Sequence, residues 1–153
     1  MSGHLEVSRL KSRLDAVFDR VPTTSDIEIQ ADFARYLCVL VSGFFENAIV
    51  ALILDYSERR SAPEVAQFIE RQLDHWTNPN AQKIVTLLGH FRADWRIQVD
   101  AYLVDEKKEA INSLVSLRHK IVHGETVGTS LSQVKAYYKS VLEVVMFIEK
   151  ITK

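Results

Sequence analysis

The stretch from Leu37 to Leu54 constrains this chain most, because Leu, Val, Ile and Phe dominate it almost all the way round a helix. Such a segment is either a membrane span or the buried central helix of a helical fold. Glu46 and Asn47 sit near its middle, and a charge at that depth costs about 3 kcal/mol on insertion scales. Its flanks are not strongly basic. It therefore reads as a core helix, with Ser25 or Asp26 as its cap and an end near Arg60.

A core helix needs amphipathic neighbours, and the rest of the chain supplies them. Leu10, Leu14, Val17 and Phe18 repeat at spacings of three and four within a helix expected over Leu5 to Arg20, and Val21-Pro22-Thr23-Thr24 breaks it. Ser61-Ala62-Pro63-Glu64 reads as a capping box with Ser61 as cap, opening a helix that ends near Trp76. Asn78-Pro79-Asn80 starts the next, and Gly89 is expected to end or bend it. Phe91, Trp95, Val99 and Leu103 mark a further helix. Asp105 is expected to cap a helix reaching His123, with Gly124 at the left-handed position beyond it. After a short loop, Ser130 caps a last helix running nearly to Ile151.

This pattern predicts an all-α, compact bundle of six or seven helices forming one domain over residues 1–153. With only 5 Gly and 3 Pro, a turn-rich sandwich or barrel is disfavoured. A chain of 153 residues can bury roughly 70% of its unfolded surface. The net charge of −1 excludes bulk electrostatic binding of nucleic acid, so any RNA contact must run through a local basic patch. Cys38 lies in the apolar run and reads as a core residue rather than a nucleophile. Met1 to Leu10 is polar and lacks a signal-peptide layout. A reducing cytoplasm is the expected location, with no membrane partner.

The chemistry-bearing segment is Ser116-Leu117-Arg118-His119-Lys120-Ile121-Val122-His123-Gly124. At 100° per residue, Leu114, Leu117 and Ile121 share a stripe expected to face the core. Ile111, Val115 and Val122 form a second apolar stripe about 90° away, which suggests a two-fold partner. Arg118 projects between the stripes, and His119 and His123 share one face. Arg118 and His123 lie about 140° apart around the axis, so a loosened helix end or a second subunit would be needed to bring them together.

Arg118, four residues, then His123 and Gly124, at the end of a late helix in a small helical bundle, resembles the Arg-x(4–6)-His signature of the HEPN superfamily. His119 fills the place where a polar residue often follows that Arg. Gly43-Phe44-Phe45-Glu46-Asn47 resembles the Gly-x-x-Glu segment of the RiboL-PSP-HEPN branch. The resemblance implies an all-α fold and a metal-independent endoribonuclease whose two subunits pool Arg and His in one cleft. It further implies a toxin or an effector of defence or stress responses, and an antitoxin or regulatory protein as partner. Other members of the superfamily are non-catalytic scaffolds or nucleotide binders, which is the alternative reading. A plain structural bundle within a larger complex is the third.

These side chains suit RNA cleavage in their own right. RNA carries its own nucleophile, the 2′-hydroxyl. Histidine as a residue type titrates near neutrality and can take or give the proton, while arginine offers a permanent cation whose donor fork matches phosphate. His123 is assigned acid/base work, Arg118 the phosphate, and His119 substrate orientation or a share of proton transfer. No metal or other cofactor is called for.

Glu46 is expected near the Arg118–His123 end, orienting one of them; the alternative is that it caps or pairs with an unrelated Lys. Asn47 is either a supporting site residue or, preferably, a satisfied core amide. Lys120, Arg92 and Arg96 are candidate RNA contacts. Arg92 and Arg96 flank Trp95 as a single-strand platform would, although a solvated face around a core Trp is the favoured reading. His119 and His123 have the spacing of a zinc-binding helix, but Lys120 stands where such motifs place Glu. Taken alone, His123 before Gly124 would serve only the helix dipole; its company argues for more. His4, His75 and His90 carry no supporting pattern and read as surface or capping residues.

Overall fold

The computed structural model describes residues 2–153. The apolar stretch becomes one helix of 34 residues, α2 (Ile27–Arg60), about 50 Å long at 1.5 Å per residue. Asp26 caps it, accepting from the backbone N–H groups of Glu28 and Ile29. Around it stand α1 (Gly3–Asp19), α3 (Pro63–Leu73), α4 (Ala81–Phe91), α5 (Ala93–Tyr102), α6 (Asp105–Val122) and α7 (Leu131–Ile151), seven helices and no strand among the described residues. This is the expected all-α bundle. Met1, the first residue of the segment read for a leader, lies outside the described residues.

α2 packs against α1, α3, α6 and α7, while α4 and α5 form a hairpin that meets α6 and reaches α2 and α7 through aromatic side chains, Trp95 against Tyr56 at 4.7 Å and Tyr102 stacked on Phe147 at 4.0 Å. The long helix passes the length and hydropathy test for a membrane span, but 56% of that window is buried by the other helices. Leu37, Phe45, Ile49 and Ile53 are wholly enclosed, each contributing about 1.5–3 kcal/mol of apolar burial. Cys38 lies in the same core, where burial pushes its thiol up to about 11.

Several helix ends depart from expectation, each for a local reason. Ser61 does not cap α3. Its hydroxyl donates back to the Ser57 carbonyl of α2, and Ala62 holds the N-cap position ahead of Pro63. α3 stops at Leu73, earlier than Trp76. Gly89 neither ends nor bends α4, which runs on to Phe91; a Cβ there would stand 2.9 Å from the Arg96 side chain, so glycine admits α5. Extended backbone at Arg92 separates the two helices. Asp105 lies inside the first turn of α6 with φ of 53°, and Val104 holds the cap position without a side-chain bond. Ser130 caps α7 as expected, accepting from Gln133 N–H.

Tyr138 ties α7 to α1. Its ring stacks on Phe18 at 5.0 Å and meets Phe44 edge-on, and its hydroxyl donates to Asp15 Oδ1 at 2.7 Å. Burial pushes Tyr138 well above its ordinary value, and so does the Asp15 carboxylate. Burial alone would raise Asp15, but hydrogen bonds from Lys11 and Tyr138 more than offset this and hold the carboxyl below its ordinary value. A carboxyl depressed on folding stabilises the fold above its unfolded value, and that contribution is lost as pH falls through the folded one. Tyr138→Phe is expected to cost about 1 kcal/mol at pH 7. Urea denaturation at pH 7 and pH 3 should show the gap from the native protein shrinking in acid; an equal gap at both would show that the pair is not responsible.

Candidate functional site

α6 ends where its sequence requires. Gly124 takes φ of 75°, its N–H donates to Ile121, and Glu125 N–H donates to Lys120. That pair of bonds closes the last turn and places His123 at the C-cap. The core-facing stripe is the expected one in part: Leu114 is buried, and Leu117 and Ile121 pack partly buried against the core. The second stripe does not survive as one surface. Ile111 is fully buried in the monomer's own core, whereas Val122 is 59% exposed.

Arg118 leaves α6 on the side facing α2 and is half-buried. Its Nη1 donates to Asn78 Oδ1 at 2.7 Å. The backbone N–H of the same Asn78 donates to Glu46 Oε2 at 3.1 Å. Glu46 thus reaches Arg118 through one intermediary residue, not directly and not through a lysine. Asn78 makes both bonds by adopting φ of 52°, a left-handed conformation that asparagine tolerates better than most residues. Arg118 keeps further guanidinium donors for a ligand, and it opens into a cleft of about 660 Å³ between α1 and α2.

Asn47 lines that same cleft and is exposed, so it is not a core amide. Two other arginines also line it, Arg13 of α1 and Arg20 at the C-cap of that helix. The sequence reading overlooked both. Their spacing of seven places them about 20° apart on one helix face, which was the available clue. Asn78 was overlooked for a different reason: Asn-Pro-Asn marks a helix start, and only Asn80 is the cap, accepting from Lys83 N–H.

His119 and His123 emerge on another side of α6. Their rings lie 4.4 Å apart between centroids, inclined at 57°, and both residues are exposed. His119 and Lys120 line a second cleft of about 710 Å³, shared with α4 and α5. No hydrogen bond joins Arg118 to either imidazole among the described residues. Arg92 and Arg96 line neither cleft. Arg92 pairs with Asp94 and sits over the buried Trp95 ring at 5.9 Å, and Arg96 lies along Gly89. His4 binds Glu149 and joins α1 to α7. Among the described residues no three His, Cys, Asp or Glu side chains gather as a metal ion would need.

The family model for RiboL-PSP-HEPN matches residues 6–153. The chain belongs to the RiboL-PSP-HEPN family. No curated protein and no solved structure matches it. HEPN domains are all-α and are often ribonucleases, so membership points to a nuclease-like or RNA-related role. On this HEPN chain, Arg118 and the two imidazoles lie at the end of one helix yet open to different sides of it.

Asn78 offers a check on this geometry. Asn78→Gly keeps the left-handed turn and frees Arg118, whereas Asn78→Ala must also bear about 1–2 kcal/mol of backbone strain. Urea titration should rank glycine as the more stable of the two. The reverse order would mean that the turn does not hold Asn78 in this conformation.

Proposed function

We propose that this chain is a metal-independent endoribonuclease that acts as a homodimer in the cytoplasm, as a toxin or as a defence or stress effector under the control of an antitoxin or regulatory protein. The observation that carries the reading is Arg118, braced by Asn78 at the edge of a basic cleft, on the helix whose end exposes His119 and His123. Within one chain these groups point apart. A second copy set against the end of α6 would bring the imidazoles of one subunit to the arginine of the other, and exposed Val122 gives such a contact an apolar element.

In this mechanism the phosphodiester binds to the free edge of Arg118. One imidazole, assigned to His123, removes the 2′-hydroxyl proton as the oxygen attacks phosphorus. The guanidinium stabilises the added negative charge on the phosphorane oxygens. An imidazolium then delivers a proton to the departing 5′-oxygen, and His119 orients the strand or shares in that transfer. The P–O5′ bond breaks, leaving a 2′,3′-cyclic phosphate and a 5′-hydroxyl. Nothing in the sequence requires a metal ion or cofactor.

Labelled RNA incubated with the protein in EDTA should be cut to cyclic-phosphate ends. His123→Ala should lose about 10²–10⁴-fold and Arg118→Ala about 10²–10³-fold. Equal cleavage by all three samples would point to a contaminant or another site, and cleavage abolished by EDTA would overturn the metal-free mechanism. Absence of cleavage in a stable dimer would favour a non-catalytic HEPN module.

Subunit mixing tests the shared cleft. Arg118→Ala and His123→Ala proteins, each nearly inactive, should regain measurable activity when unfolded and refolded together. No gain over the separate samples would mean that each chain works alone.

A further inference from the structure

The cleft between α1 and α2 is lined by three guanidiniums, those of Arg13, Arg20 and Arg118, and by no Asp or Glu. None of the three forms an ion pair among the described residues, whereas Arg9, Arg35, Arg59 and Arg92 each have a carboxylate partner. Arg13 and Arg20 stand two turns apart, about 10 Å along one face of α1. Leu14, Val17 and Phe44 contribute apolar wall between them, and low-dielectric walls concentrate the field of nearby cations. Tyr36 lines the cleft at 50% exposure, an aromatic face left open beside the cations. Past Asn47 the adjoining groove is of mixed charge, lined by Glu6, Asp55 and Glu58 together with Arg9 and Arg13. In a chain of net charge −1, the carboxylate-free cleft is the local basic patch that RNA contact requires.

The geometry points to this cleft as the path of a single RNA strand, with backbone phosphates on Arg13 and Arg20 leading to Arg118, and a base stacked on Tyr36. The inference builds on the ribonuclease reading for the nature of the polyanion, and it assigns roles to three residues outside the Arg-x4-His motif. Guanidinium forks match phosphate oxygens. Cations beside an aromatic ring form the platform that single strands use, since every base has a face to stack. An acidic protein segment would satisfy the cations but would leave the open tyrosine face without purpose. The groove beyond Asn47, where Glu6, Asp55 and Glu58 stand with Arg9 and Arg13, suits a polyanion less well than the carboxylate-free cleft.

The test is fluorescence anisotropy with a labelled oligouridylate carrying 2′-O-methyl groups, which cannot be cut through its 2′-oxygen, titrated with the full chain across about 50–200 mM KCl. The Arg13→Ala/Arg20→Ala protein should bind with a salt slope shallower by about 1.4, at about 0.7 per single-strand phosphate contact. Arg13→Lys/Arg20→Lys should restore that slope. Tyr36→Ala should weaken binding about ten-fold without changing the slope. All three side chains are exposed, so thermal melts should match the native protein. An unchanged slope in the double alanine protein overturns the path. So does an oligoglutamate peptide that binds as tightly as the RNA and is indifferent to Tyr36→Ala, which would assign the cleft to an acidic protein. Because the probe resists cleavage, a failure of the ribonuclease reading leaves this result standing. Conversely, ordinary RNA cut by the double alanine protein with unchanged KM and salt dependence would remove the path and leave the nuclease.

Discussion

A half-buried carboxylate near the middle of the core helix takes a backbone N–H as its donor, as enclosed polar groups require, and the site is built on that bond. Glu46 meets Asn78, which fixes the chain between α3 and α4 against the middle of α2. Held there, Asn78 presents its side-chain oxygen to Arg118. The permanent cation of α6 is therefore positioned by the polar break in the core helix. Truncating the Asn78 side chain would leave Arg118 without this partner, while the backbone N–H would still serve Glu46.

The same geometry sets the electrostatic character of the two sides of α6. Toward α1 and α2 lies a cleft of unpaired arginines over apolar walls. Toward α4 and α5 lies a cleft whose polar lining includes His119, Lys120 and several amide side chains. A nearly neutral protein thereby keeps a concentrated positive site without a basic surface overall. Neutral amides do not cancel that charge, and the carboxylates of Glu6, Asp32 and Asp55 are tied to other arginines.

Helix ends decided by the chain's own next few residues were legible in advance. Gly124, Ser130 and Asp26 act within one turn of their own helix, so local chemistry settles them. Ser61, Gly89 and Asp105 were not legible. Ser61 had a competing acceptor on the preceding helix, Gly89 answers to a side chain on α5, and Asp105 sits inside the first turn of α6 rather than ahead of it. The second apolar stripe failed similarly: a helical wheel shows that Ile111 and Val122 share a direction, but only packing shows that α6 is covered at one end and bare at the other.

The hydrophobic period and the long apolar run of α2 were enough to determine an all-helical fold, because these are properties of short segments that survive in any tertiary setting. Which residues accompany Arg118 was settled by the packing alone. Asn78 lies 40 residues away from it along the chain, and Arg13 and Arg20 lie on a different helix. Such partners meet only when α1, α2 and α6 close around a common core, and that closure is driven by apolar burial, which is non-directional and says nothing in advance about which polar side chains it will bring together.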